Sequence, residues 1–143
     1  MEKKIDIKFQ IKGVEIIEVQ LNAPISAKPQ FKTFNYKINI EHRIISEKKL
    51  VVNQVSIEIY GDAKEQVLLG KIMTALSFEI NNFNDFADKG QSVVNLPESI
   101  FTTFNSIAIS TTRGIMFSQF RGTYLHNAIL PIVDPDGFKK QEK

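Results

Sequence analysis

The sequence has no cysteine, no tryptophan, few prolines and glycines, no long apolar run and no dominant charge. Without cysteine there is no disulfide, no thiolate nucleophile and no cysteine-held metal, as suits a reducing compartment. The opening MEKKIDIKFQ lacks an apolar stretch of signal-peptide length, and no run of about twenty apolar residues follows. The expectation is a cytoplasmic protein without membrane insertion. A net charge of +2, with lysine and arginine spread evenly, argues against nucleic acid or an anionic membrane as the main partner. There is also no P-loop, no dinucleotide glycine fingerprint and no G-x-S-x-G elbow. His42 and His126 have no ligand-like neighbours in sequence, and the DPDG stretch at 134–137 lacks the other ligands of a calcium loop and reads as a turn. No catalytic residue, metal or cofactor is expected.

What the chain does have is alternation. Ile5, Ile7, Phe9 and Ile11 share one parity; the phase slips near Gly13, and Ile17, Val19 and Leu21 resume on the other, predicting a strand with a bulge or bend. Residues 22–30, with two prolines, read as a loop. Strands are then predicted from Phe34 to the polar turn at Ser46, from Val51 to Tyr60 and from Gln66 to Ile80. Short connections make the last three an antiparallel meander with one apolar face. At 143 residues the chain fits one domain, 1–143, with an ordinary core.

Asn95-Leu96-Pro97-Glu98 supplies a helix start, with Asn95 as cap and Pro97 in the first turn. Ile100, Phe104, Ile107, Thr111 and Ile115 form one stripe, with Phe101, Ala108, Thr112 and Met116 beside it. Gly114 and Gly122 are candidate ends, and the Arg113-Gly114 and Arg121-Gly122 pairs read as C-capping devices. From Ser99 to Thr112 there is no charge at all. A helix without a charged face is covered on more than one side, and a single sheet covers only one. An oligomer interface through the helix layer is therefore expected, with Ile100, Phe104, Ile107, Ala108 and Thr111 as candidates.

This order of elements, and three local matches, resemble the SecB family of chaperones and its SecB-like relatives. The stretch FQIKGVEIIEVQLNAP, Phe9 to Pro24, is similar to the family's first strand and its exit into a loop leading to a Phe, here Phe31. Ile100-Phe101 stands where the family has Leu-Phe at its helix start, and Ile129-Leu130-Pro131-Ile132 resembles its L-x-P-I tail. The chain departs from the family in having Phe101-Thr102-Thr103-Phe104-Asn105 where Phe-Pro-Tyr-Ala-Arg is usual, and in not being acidic. The resemblance implies an α+β fold: a four-stranded antiparallel sheet followed by a long C-terminal helix, oligomerising as a dimer of dimers. It also implies ATP-independent binding of unfolded polypeptide clients, export through a SecA-type motor being the family's best-known use. An apolar groove is implied between Pro24, Ile25 and Phe31 on one side and Phe120, Tyr124 and Ile129 on the other. The alternative partner is a single dedicated protein, such as an unstable antitoxin.

Overall fold

The computed structural model describes residues 8–22, 33–61, 67–86 and 96–134. Four strands, β1 (Phe9–Leu21), β2 (Phe34–Ile45), β3 (Leu50–Gly61) and β4 (Leu68–Ile80), precede one long helix, α1 (Glu98–Gln119). All pairings are antiparallel, in the order β1-β4-β3-β2. The meander is as the alternation predicts, and β1 closes onto β4, leaving β1 and β2 as edges.

Period-two alternation sorts the sheet into two faces. On β3 and β4 every second residue is buried, including Val51, Val55, Ile57 and Ile59 on β3 and Ile72, Leu76, Phe78 and Ile80 on β4. The opposite face is polar, and its register is tied by charge: Glu58 stands between Lys37 and Lys71 on the adjoining strands. Opposite charges directly across a ladder stabilise one register, and a one-residue slip would turn every apolar side chain outward.

The helix lies on the apolar face. Phe104 stacks on Phe78 with ring centroids 4.1 Å apart and planes 4° from parallel, and Phe9 meets Phe104 edge-on at 4.9 Å. Further along, the Thr112 hydroxyl lies 2.8 Å from that of Thr74 and donates to the Ala108 carbonyl. Pro97, extended at φ −64° and ψ 148°, is the N-cap residue, so α1 starts later than the sequence suggests; Asn95 lies outside the described residues. The helix ends after Gln119, and Gly122 takes the left-handed φ of 78° just beyond it, which favours a residue lacking Cβ. Its 22 residues span about 33 Å.

Neither arginine acts as a C-cap. Arg113 is in mid-helix, where its Nε and Nη2 donate to the carbonyls of Leu130 and Pro131, each at 2.9 Å. Arg121 lies over the Phe117 ring at 5.3 Å. Arg113 is half a turn around the helix from Phe104, so the tail runs along the flank away from β1. Ala128 and Leu130 are buried there.

Candidate polypeptide-binding and assembly surfaces

The register of β1 explains the phase slip read in its sequence. The ladder to β4 skips two residues, between Ile11 and Gly13 and between Ile16 and Glu18, so Lys12 and Ile17 each form a bulge. Two bulges, where the sequence suggested one, keep Phe9, Ile11, Val14, Ile16, Val19 and Leu21 all level with helix-face residues of β4. Gln10, Gly13, Glu15, Glu18 and Gln20 are left on the polar face.

Nothing in the described chain covers this apolar row. Ile11, Val14, Ile16, Val19 and Leu21 are each between 41% and 47% exposed, and the bulged Ile17 is 52% exposed. The cause is the position of α1, which packs over β3 and β4 while the tail occupies its other flank. Above β1, the Phe104 stripe continues into the half-buried Ile107, Thr111 and Ile115. The result is a trough with a β-branched floor along β1 and a helix wall, an unusually long apolar strip for a protomer surface.

One end of the trough is closed by the segment after the helix. The Tyr124 hydroxyl lies 2.6 Å from the carbonyl oxygen of Asn22 and 3.0 Å from that of Leu69, pinning the segment to the end of β1. Burial raises the Tyr124 pKa above its ordinary value. Gly70, paired with Leu21, admits the close approach: a Cβ there would stand 2.6 Å from Leu125 Cδ1 and 3.1 Å from the Gln20 carbonyl oxygen.

The residues named from sequence fall in different places. Pro24, Ile25 and Phe31 lie outside the described residues. Phe120 is 2% exposed and belongs to the protomer's core, Tyr124 is partly buried at the trough's end, and Ile129 is exposed on the tail. Among the helix candidates, Ile100, Phe104 and Ala108 are buried by the chain's own sheet, whereas Ile107 and Thr111 line the trough. The outward face of α1 carries Thr103, Ser106, Ser110 and Gly114, all exposed and uncharged. Sequence reasoning missed the trough floor because β1, read alone, looks like any half-buried strand; only its place at the sheet edge leaves it bare.

A second unforeseen feature is polar. His42, 5% exposed, places Nε2 2.6 Å from Asn105 Oδ1, which also accepts from Asn53 Nδ2 at 3.0 Å. His42 also meets Phe101 edge-on at 5.2 Å. Exposed His126 accepts from the Gly122 N–H at 3.0 Å. Among the described residues no cluster of three or more His, Asp or Glu could hold a metal, and no helix is long and apolar enough to cross a membrane.

The arrangement matches a solved structure, the SecB-like chaperone Rv1957 of Mycobacterium tuberculosis in complex with a ChAD peptide from the Rv1956 HigA1 antitoxin. The match covers 87% of this chain and 90% of that one, with a TM-score of 0.59 and 15% identity. The chain has the SecB-like fold. A protein of unknown function from Streptococcus agalactiae also aligns, over 82% of this chain and 90% of its own, but at 9% identity and a TM-score of 0.36, too distant to argue from. No protein-family model matches the sequence, and no curated protein does. In SecB-like terms the bare strand is the first of the sheet, and the closing segment follows the long helix.

Proposed function

We propose that this SecB-like protein is a chaperone that holds non-native polypeptide without ATP, metal or cofactor. The observation that carries the reading is the trough: extended apolar surface with no cover from the described chain. A trough of branched aliphatic side chains makes no directional demand, so extended apolar segments of many sequences fit it. Pro24, Ile25 and Phe31, which follow β1 in sequence, and Tyr124 and Ile129 are candidates for its extension.

The narrower reading is a dedicated client. The SecB-like neighbour holding an antitoxin peptide favours it, and a sequence that is not acidic gives no support to an export motor such as SecA. On either reading the protein works in the cytoplasm and assembles through the helix layer, where the uncharged outward face of α1 suits close packing of a second copy.

The test dilutes several unfolded proteins into buffer with and without the chaperone, and follows light scattering. Suppressed aggregation of unrelated clients, lost in Val14→Asp and Ile107→Asp variants that keep their circular dichroism, is the expected result. Suppression for no client, or unchanged in both variants, removes the general reading. Ser110→Glu should lower the oligomer mass; an unchanged mass removes the helix-layer assembly.

A further inference from the structure

Among the described residues five polar side chains are buried, His42, Asn53, Thr74, Asn105 and Thr112, and all five lie where α1 meets the sheet. They form two clusters. In the first, Asn105 Oδ1 is 2.6 Å from His42 Nε2 and 3.0 Å from Asn53 Nδ2; in the second, the Thr112 and Thr74 hydroxyls are 2.8 Å apart. The other buried residues of α1 are all apolar. Burial strips a polar group of water, and the hydrogen bond gained in exchange does little more than offset that loss. In the first cluster the exchange is incomplete, because Asn53 Oδ1 is buried and accepts no hydrogen bond from any described residue.

The two clusters are spaced alike on helix and sheet. Asn105 and Thr112 are two turns apart on one face of α1, about 10.5 Å along its axis and only about 20° around it. On the sheet, His42 stands opposite Asn53, and Thr74 of β4 stands opposite Val55, the next residue of β3 on the same face. From between His42 and Asn53 to Thr74 is therefore about 10 Å, at roughly 4.8 Å per strand and 3.4 Å per residue. Moving α1 by one turn, about 5.4 Å, would set Phe101 or Ile109 over His42 and Asn53, and Ala108 or Met116 over Thr74. All three sheet side chains would then lose their partners on the helix. Apolar contact alone ranks such neighbouring registers weakly, since cores that keep volume and pattern lose uniqueness before they lose stability.

We infer that the two clusters are latches that fix the register and rotation of α1 on the sheet, at a cost in stability. In doing so they decide which surfaces the molecule presents. Ile107, Thr111 and Ile115 wall the trough, while Ser106, Ser110 and Gly114, each one residue earlier, face outward. A rotation of the helix by one residue, about 100°, would bring the second stripe to the place of the first and replace the apolar wall by hydroxyls and a glycine. A single buried Asn plays the same part in coiled coils, where it sets register at the expense of stability. The latches hold the helix whether or not the trough takes a client.

Two measurements test this. The triple variant His42→Leu, Asn53→Leu and Asn105→Leu removes every member of the first latch at once, so its urea midpoint should rise, the opposite of what a single truncation does. Because the chain has no cysteine, introduced pairs then report where the helix sits. Thr74→Cys with Thr112→Cys brings two thiols together in the native register, whereas Thr74→Cys with Ala108→Cys or with Met116→Cys bridges readily only once α1 has moved by a turn. Each pair also removes the Thr74 hydroxyl, so the first latch is left to hold the helix alone. With His42, Asn53 and Asn105 in place, mild oxidation should close the Thr112 pair roughly tenfold faster than the other two. In the triple-Leu chain all three pairs should close at similar rates. A lowered urea midpoint in the triple variant overturns the proposal. So does a preference for the Thr112 pair that survives the Leu substitutions, or equal closure of the three pairs while the polar trio is intact.

Discussion

Replacing Gly70 by alanine tests whether the segment after the helix is seated as tightly as its contacts imply. The added Cβ would lie 2.6 Å from Leu125 Cδ1, 3.1 Å from the Gln20 carbonyl oxygen and 3.4 Å from Phe120 Cζ. Leu125 is fully buried and cannot swing into solvent, and the Gln20 backbone is held in the β1–β4 ladder. Either the ladder or the segment must shift, at about 1–3 kcal/mol for overpacking of this kind. At roughly 2–4 °C per kcal/mol for a chain near this size, Tm should fall by about 2–12 °C. Urea unfolding should show a lower midpoint at constant slope. Leu125→Ala alone should cost about 2–5 kcal/mol as a cavity, yet in the double variant the clash disappears, leaving the pair about 1–2 kcal/mol better than additive. An unchanged midpoint for Gly70→Ala, or strict additivity, would refute the close seat.

Three further outcomes follow from single contacts. Asn105→Ala removes the acceptor shared by His42 and Asn53 and should cost about 2–4 kcal/mol in urea unfolding, far more than an exposed Asn→Ala change. Tyr124 and Tyr36 have pKa values raised by burial, and Tyr60 chiefly by its hydrogen bond to Glu58. A group that keeps its proton more tightly when folded gives stability that is intact below its unfolded pKa of about 10 and is lost as pH rises further. The denaturant midpoint should therefore fall above that pH, and less steeply in Tyr36→Phe and Tyr124→Phe, as titration by circular dichroism would show. Arg113→Ala frees the carbonyls of Leu130 and Pro131; limited proteolysis should then cut near 128–134 several-fold faster, while Arg113→Lys, retaining a donor, should be intermediate.

Most strands and the helix could be read from period alone, because β2, β3 and β4 bury one face cleanly and the aliphatic stripe of α1 has no competing pattern. β1 was only half legible. Its parity change betrays one slip, but the adjacent Ile16 and Ile17 hide a second, and nothing local shows that the strand sits at an edge. The buried polar trio was missed although parity carried a signal: His42 shares the phase of Ile40 and Asn53 that of Val51 and Val55, but nothing local shows that Asn105 of the helix meets them. The helix candidates show the limit of a stripe. Phe104 and Ala108 are apolar because their own sheet needs them, while Ile107 and Thr111 on the same helix stay half-buried along the trough.

Arg113 has a further effect on which backbone can join a foreign sheet. The tail beyond the helix is irregular and apolar, with Ile129 and Ile132 exposed, and so offers an adhesive surface. Pro131 has no N–H to offer, and the carbonyls of Leu130 and Pro131 are already taken by the guanidinium, so this stretch can start no ladder on the side it turns to the helix. Among the described residues, two bare apolar segments thus differ in competence: one is disarmed by a proline and an arginine, and the other, β1, keeps an unpaired edge. Pairing with a foreign strand is therefore hindered at the first and left open at the second.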